Sequence, residues 1–196
     1  KTISDSNEEV KKMTPEELVE KEHAFLKEIN TWTSWTRQED LRIADIKNHA
    51  FWEHSEICNE FIKCDLTDPK SVELVISYEA DEVYQLAADM GGAGYIFTGE
   101  NDANVMHNSA LINLNVAKEC VEKKVKMVFY SSSACMYPEH NQLDPNNPNC
   151  EESSAYPANP DSEYGWEKLF SERMCRHFME DYGLEVRVAR YHNIYG

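Results

Sequence analysis

The fold prediction starts from the stretch Ser131-Ser132-Ser133-Ala134-Cys135-Met136-Tyr137-Pro138-Glu139. It follows an apolar run, Val125 to Tyr130, that predicts a buried strand. Further along, Tyr164-Gly165-Trp166-Glu167-Lys168 places a lysine one helical turn after a tyrosine. The pattern therefore indicates a strand that ends in small hydroxyl residues, followed by a helix that carries a tyrosine–lysine pair.

These residue types suit hydride transfer between a hydroxyl group and a nicotinamide. A serine can hold the substrate oxygen, and a tyrosine can remove the hydroxyl proton if a nearby ammonium lowers the pKa of its phenol. The tyrosine–lysine spacing alone is weak, since a chain with ten tyrosines contains about one such pair by chance. The serine strand upstream, with Cys135 two residues after Ser133, makes the combination specific.

The composition is typical of a soluble globular domain, because the 196 residues are 41% hydrophobic and 28% charged. No apolar run approaches the roughly 20 residues that a membrane-spanning helix needs. The net charge of −17 argues against binding to nucleic acid, whose phosphates require a basic surface. We predict a cytoplasmic protein with neither a nucleic acid nor a membrane as partner.

Cysteine spacing predicts free thiols. The six cysteines lie at positions 58, 64, 120, 135, 150 and 175, without a C-x-x-C pair. This spacing favours a reducing compartment over a disulfide framework, and it predicts no metal site.

Short β-rich runs alternate with amphipathic helices from residue 41 onward, which predicts an α/β fold with a parallel sheet and helices on both faces. The predicted strands are residues 41–46, 60–66, 82–88, 125–130 and 184–191. The predicted helices are residues 69–78, 103–123 and 163–182, the last closed by Gly183. The buried positions predicted for the second helix are Val105, Ala110, Ile112, Val116, Ala117 and Cys120.

The sequence leaves the structure of two segments undecided. Residues 138–162 contain five prolines and no lysine or arginine, which predicts no regular element. They form either an acidic surface loop or a flap near the substrate.

Near the N-terminus, Thr14-Pro15-Glu16-Glu17 predicts the start of a charged helix that reaches Ile29. The following residues, Thr31 to Thr36, form either a short strand or an aromatic surface clamp.

Six stretches between Asp45 and Gly196 resemble the GDP-mannose 3,5-epimerases, a family within the extended short-chain dehydrogenase/reductases (NAD-dependent epimerases and dehydratases). They are Asp45-Ile46-Lys47-Asn48, Cys58-Asn59-Glu60-Phe61, Leu86-Ala87-Ala88-Asp89-Met90-Gly91-Gly92-Ala93-Gly94, Ser132-Ser133-Ala134-Cys135-Met136-Tyr137-Pro138-Glu139, Tyr164-Gly165-Trp166-Glu167-Lys168 and Arg190-Tyr191-His192-Asn193-Ile194-Tyr195-Gly196. The Tyr-x-x-x-Lys motif occurs throughout the superfamily. The stretches Leu86 to Gly94 and Ser132 to Glu139 are much more specific and indicate this epimerase family.

The resemblance implies an isomerase that epimerises C3 and C5 of GDP-mannose through transient oxidation at C4 by NAD. Ser133, Tyr164 and Lys168 would exchange the hydride at C4, and Cys135 would move protons at C3 and C5. The residues implied to bind NAD are Asp45 at the ribose, Asp65 and Leu66 at the adenine, Ala87, Ala88, Tyr164 and Lys168. The residues implied to bind GDP-mannose are Gly91, Ser133, Cys135 and Asn193.

A thiol suits proton transfer because its reference pKa of about 8.5 can move toward neutrality. Without the surrounding motif, Cys135 would instead be interpreted as a small hydrophobic residue that packs in the interior.

The chain departs from the family at both ends. The family begins with a strand and a glycine-rich turn that binds the pyrophosphate, but the first glycine here is Gly91. Residues 1–40 instead predict an atypical helical segment whose early glutamates would repel a dinucleotide. At Gly196 the family continues into a substrate domain that carries a second proton-transfer group, a lysine. For residues 41–196 we expect a Rossmann-like dinucleotide-binding domain without the usual first strand and glycine-rich turn.

Three explanations follow. In the first, the chain is part of a working epimerase. Such an enzyme is predicted to be a homodimer, because members of this superfamily commonly pair through helices like those predicted at residues 103–123 and 163–182. Alternatively, the chain is a catalytically inactive structural or assembly subunit, or it binds a nucleotide sugar without turnover. The joint presence of Ser133, Cys135, Tyr164 and Lys168 favours descent from an active enzyme. From residues 1–196 alone we expect weak NAD binding and no epimerase turnover.

Overall fold

A computed structural model describes residues 40–48, 58–78, 80–91, 93–144, 146 and 149–192. The described residues form two compact units that divide between Cys64 and Asp65. The predictions for the first 39 residues and for Asn193 lie outside the described residues. The expected lack of a first strand and of its glycine-rich turn lies outside them as well.

The first unit contains two short parallel strands. Strand β1 (Arg42–Asp45) pairs with β2 (Glu60–Lys63), so that Ile43 lies opposite Phe61. Both strands are shorter than predicted. In β2 the ladder ends because Asp65 turns the chain: its Oδ1 atom accepts hydrogen bonds from the Thr67 backbone N–H at 2.9 Å and from the Thr67 hydroxyl at 2.7 Å.

The second unit is built on a three-stranded parallel sheet in the order β3–β4–β5. The strands are β3 (Glu82–Gln85), β4 (Met127–Ser133) and β5 (Glu185–Tyr191). The helices are α1 (Pro69–Val75), α2 (Ala93–Ile96), α3 (Asp102–Glu122) and α4 (Glu163–Tyr182). Parallel strands joined through helices confirm the predicted α/β class.

Strand β4 is longer than predicted, because it continues through the serine run to Ser133. Strand β5 remains paired with it over this length, and Ser133 lies opposite Tyr191. Ser132 is buried and the serines on either side of it are half-buried, as strand alternation requires. The serine hydroxyls therefore lie at the carboxyl end of the central strand.

The main hydrophobic core lies between the sheet and helices α1, α3 and α4. Its buried members include Val72, Ile112, Val116, Val128, Cys175 and Val186. The predicted core position Ala110 is wrong, since it is only half-buried. The buried face of α3 instead includes the polar residues Ser109, Asn113 and Glu119.

The described part of residues 138–162 forms no long element, which agrees with the prediction. It contains two short 3₁₀ helices, Glu139–Asn141 and Glu152–Ala155. All six cysteines are free thiols, also as predicted. Within the described ranges, no helix has the length and apolar character of a membrane span.

Candidate active site

The end of β4 fixes the position of Cys135. Ser133 caps a 3₁₀ helix, Ala134–Met136, and its Oγ atom accepts a hydrogen bond from the Cys135 backbone N–H at 3.2 Å. This cap turns the chain sharply at the strand end, where parallel α/β sheets bind their ligands. The Cys135 side chain remains half-buried.

The first turn of α4 brings Tyr164 to the same place. Ser162 caps this helix by accepting a hydrogen bond from the Gly165 backbone N–H at 3.3 Å. Tyr164 is 7% exposed and forms a small apolar cluster with Ile96 and Val105, against which Cys135 packs. The two candidate proton-transfer side chains thus share one cluster.

Gly165 allows this close approach. A Cβ atom at position 165 would lie 2.1 Å from the Cys135 carbonyl oxygen and 2.9 Å from the Pro160 Cβ atom. No side chain fits against a backbone carbonyl at that distance. The absence of a side chain at Gly165 therefore sets the spacing between α4 and the segment that carries Cys135.

Lys168 lies one turn further along α4 and is 4% exposed. Its Nζ atom donates a hydrogen bond to the Ser131 carbonyl oxygen at 2.8 Å and lies 5.5 Å from the centre of the Tyr164 ring. The ammonium is thus anchored to β4 and lies over the aromatic face of Tyr164. The structure brings together all four predicted catalytic residues: Ser133, Cys135, Tyr164 and Lys168.

The expectation of a lowered Tyr164 pKa is wrong for this structure. Burial raises the pKa of the phenol above its usual value, and the Ser133 side chain only partly offsets this effect as a hydrogen-bond partner. Without ligands, Tyr164 is therefore a neutral phenol at neutral pH.

An ion pair ties residues 138–162 to the sheet beside this site. Arg190 on β5 donates to the Glu172 carboxylate through Nε at 3.0 Å and Nη2 at 2.8 Å. Its Nη1 atom donates to the Glu152 carbonyl oxygen at 2.9 Å and to the Tyr137 hydroxyl at 3.1 Å. One guanidinium on β5 therefore bonds to α4, to Tyr137 just before the proline-rich segment and to Glu152 within it.

The residues implied to bind NAD lie in different places. Ala87 and Ala88 follow β3. Gln85 at the end of β3 pairs with Tyr130 on β4, and Ala88 and Ser133 lie equally far along the chain from these two paired residues. Leu66 packs on the core, and its carbonyl oxygen accepts a hydrogen bond from Asn115 Nδ2 at 3.1 Å. Asp65 turns the chain before α1, as described above.

Two further predicted residues have other contacts. Asp45 belongs to the first unit, where its Oδ1 atom accepts a hydrogen bond from the Lys47 backbone N–H at 2.8 Å. Gly91 is exposed, and a Cβ atom there would lie 3.0 Å from the Tyr95 side chain. The close neighbour of Gly91 is therefore Tyr95.

The described residues of the second unit fit the nicotinamide end of NAD. Ala87, which packs against the main core, and Ala88 are small residues after β3, and Ser133 and Tyr164 carry hydroxyl groups near the end of β4.

Sequence reasoning missed Gly165 and Arg190 as site residues. Gly165 follows the tyrosine directly, and a glycine within a predicted helix was the signal that a close contact needs it. Arg190 lay within a stretch of family resemblance, but its partners are distant in sequence.

Comparisons with known proteins show which proteins this chain resembles. The chain is 41% identical over 150 residues to GDP-mannose 3,5-epimerase from Arabidopsis thaliana, which covers 74% of this chain and 39% of that protein. Against GDP-mannose 3,5-epimerase 1 from Oryza sativa subsp. indica, the identity is 41% over 153 residues, with 78% and 39% covered. The chain thus spans well under half the length of these curated relatives.

Solved structures show the same fold. UDP-glucose 4-epimerase from Thermotoga maritima, with UDP-glucose, superposes with a TM-score of 0.68 at 21% identity and covers 87% of this chain and 53% of that one. UDP-glucose 4-epimerase from Thermus thermophilus, in complex with NAD, gives a TM-score of 0.65 at 22% identity, with 85% and 51% covered. The model of the NAD dependent epimerase/dehydratase family matches residues 22–196. The chain therefore belongs to the NAD dependent epimerase/dehydratase family.

Proposed function

We propose that this chain forms the nicotinamide-binding part of a GDP-mannose 3,5-epimerase, which oxidises C4 of GDP-mannose, inverts C3 and C5, and reduces C4 again. The observation that carries the proposal is the shared cluster of Tyr164 and Cys135, with Ser133 beside both. A 4-epimerase needs only the hydroxyl chemistry at C4. A thiol placed beside that hydroxyl site adds a group that can act at a neighbouring carbon.

The roles follow from the chemistry of each group. Ser133 would hold the C4 oxygen by a hydrogen bond, and Tyr164 would take the C4 hydroxyl proton as the carbon loses its hydride. Bound NAD would supply the hydride acceptor and a positive charge that favours the Tyr164 phenolate. The C4 ketone acidifies the hydrogens on C3 and C5, and Cys135 would remove or return one of these protons. In the final step the hydride taken up at the first step would return to C4, while Tyr164 would return its proton to the C4 oxygen.

Deuterium exchange tests this proposal. The natural polypeptide is incubated with NAD and GDP-mannose in deuterium oxide, and carbon-bound deuterium at C3 and C5 is measured by NMR and mass spectrometry. We expect Cys135→Ser and Tyr164→Phe each to slow exchange by at least about 100-fold, because one removes the proton-transfer group and the other prevents ketone formation.

Cys150→Ser is the matched control, since Cys150 is also half-buried but packs in a different apolar cluster. It should exchange at the wild-type rate. A folded wild-type protein that binds GDP-mannose and incorporates no deuterium would instead support the inactive-subunit explanation.

The homodimer stays a prediction within this proposal. Large apolar side chains that are exposed on helices α3 and α4 support it; they are Met106, Leu114, Trp166, Phe170 and Met179.

A further inference from the structure

A second tyrosine, on the short helix α2, belongs to the candidate site. The ring of Tyr95 packs against the apolar cluster that contains Tyr164, and Cys135 packs against the same cluster. The Tyr95 side chain is only half-buried, so part of it remains accessible to a ligand. The ring of Tyr95 therefore shares one cluster with the two candidate proton-transfer side chains.

The same ring contacts the segment that follows β3. A Cβ atom at Gly91 would lie 3.0 Å from both the Cβ and the Cγ atoms of Tyr95, which is closer than side chains normally approach. Gly91 is exposed, and it is one of the residues that the family resemblance implies at the sugar of GDP-mannose. Tyr95 thus contacts both Gly91 and the cluster of Tyr164.

The hydroxyl group of Tyr95 bonds to the beginning of this segment. It donates a hydrogen bond to the Oδ1 atom of Asp89 at 3.3 Å. Burial and the Asp89 carboxylate raise the pKa of the Tyr95 phenol, so the phenol keeps its proton at neutral pH and acts as the donor. One tyrosine side chain therefore contacts both ends of residues 89–91.

Asp89 and Tyr95 are each fixed to helix α3 or its start. The Oδ2 atom of Asp89 accepts a hydrogen bond from Asn108 Nδ2 at 2.7 Å, and its backbone N–H donates to the buried Ser109 Oγ at 3.0 Å. The carbonyl oxygen of Tyr95 accepts a hydrogen bond from Asn101 Nδ2 at 3.3 Å. The Tyr95–Asp89 contact is thus anchored on both sides.

The hydroxyl group is the part of Tyr95 that a purely apolar contact does not require. A phenylalanine at position 95 could pack its ring against Gly91 and the cluster, but it could not bond to Asp89. A hydrogen bond to an ionised carboxylate is stronger than one between neutral groups. The hydroxyl therefore adds a polar attachment of residues 89–91 to the ring that packs in the site.

We propose that Tyr95 is a positioning residue for the sugar: its ring and hydroxyl hold residues 89–91 beside Tyr164 and Cys135. A sugar that contacts Gly91 would then also reach the phenol and the thiol. This inference rests on the proposed function, because the sugar site belongs to that proposal. The attachment of residues 89–91 by Tyr95 exists without a ligand, so it is tested separately.

The affinities for GDP-mannose and GDP test the role in sugar binding. Calorimetry with the natural polypeptide, in the presence of NAD, measures both for the wild type and Tyr95→Phe. We expect the variant to bind GDP-mannose about 5-fold more weakly, the usual size of one lost hydrogen bond, and to bind GDP as the wild type does. GDP has no mannose to position. Tyr182→Phe is the matched control, because it removes an exposed hydroxyl at the end of α4 and should change neither affinity.

Backbone hydrogen exchange tests the attachment without ligands. The Asp89 amide, which donates to Ser109, should exchange about 5-fold faster in Tyr95→Phe, since the Asp89 side chain loses one of its two donors. In an Asp89→Ala background, Tyr95→Phe should not change the exchange of this amide further, because the acceptor is already absent.

The inference and the proposed function fail in different ways. An Asp89 amide that exchanges at the wild-type rate in folded Tyr95→Phe would overturn the inference. So would an unchanged affinity for GDP-mannose, or an equal loss of affinity for GDP and GDP-mannose. If the wild type binds neither nucleotide, the proposed function fails, and the exchange of the Asp89 amide alone decides whether Tyr95 holds residues 89–91.

Discussion

Replacing Gly165 with alanine is expected to lower the free energy of unfolding by about 3 kcal/mol, near the upper end of the usual cost of overpacking. The added methyl group would lie 2.1 Å from the Cys135 carbonyl oxygen, which belongs to the backbone and cannot rotate away. The clash must therefore separate α4 from the 3₁₀ helix at residues 134–136. Urea denaturation measures the loss of stability.

Gly94→Ala provides the matched control, since no atom lies within 4 Å of a Cβ there and α2 contains the residue. Alanine favours a helix over glycine by up to about 1 kcal/mol, so this variant should be as stable as the wild type or slightly more stable. If both variants unfolded at the wild-type urea concentration, the close contact at Gly165 would be refuted.

Arg190→Met is expected to cost about 3 kcal/mol of stability and to loosen residues 138–162. The change leaves the Glu172 carboxylate without its cation, although its side chain is only 11% exposed. It also removes the donor to the Glu152 carbonyl oxygen and the Tyr137 hydroxyl. Denaturation measures the first effect, and faster backbone hydrogen exchange across residues 138–162 measures the second.

The control is a solvent-exposed ion pair on α4, the helix that carries Glu172. Arg176 and Glu180 are also 2.8 Å apart, but their side chains are 75% and 47% exposed, so Arg176→Met should cost less than about 1 kcal/mol. The additional change Glu172→Met should recover part of the loss in Arg190→Met, because it removes the unpaired charge. Equal costs for Arg190→Met and Arg176→Met would contradict this account of the ion pair.

The parts of the fold that follow from local signals were predictable. Helix α4 begins and ends where the sequence predicted, because Ser162 caps its start and Gly183 adopts a positive φ of 71° at its end. The placement of Ser133 and Cys135 at a strand end also followed, since it depends on the apolar run before them. These signals lie within a few residues of the elements that they define.

The unpredicted features depend on contacts between distant residues. Asn113 and Glu167 are polar helix residues that a periodic pattern assigns to the surface, yet they bond to each other in the interior at 2.9 Å. The spacing of Tyr164 and Lys168 predicted a lowered phenol pKa, but it could not show how deeply the phenol is buried. Burial therefore accounts for the main chemical error of the sequence prediction.

The central claim is that Cys135 lies in one ligand site with Tyr164 and Lys168, and alkylation of the thiols tests it most directly. The protein is treated with iodoacetamide with and without NAD and GDP-mannose, and the modification of each cysteine is followed by mass spectrometry. We predict that the two ligands together slow the alkylation of Cys135 and leave the half-buried Cys150 unaffected. If both ligands are bound and Cys135 is alkylated as fast as in their absence, the claim is contradicted.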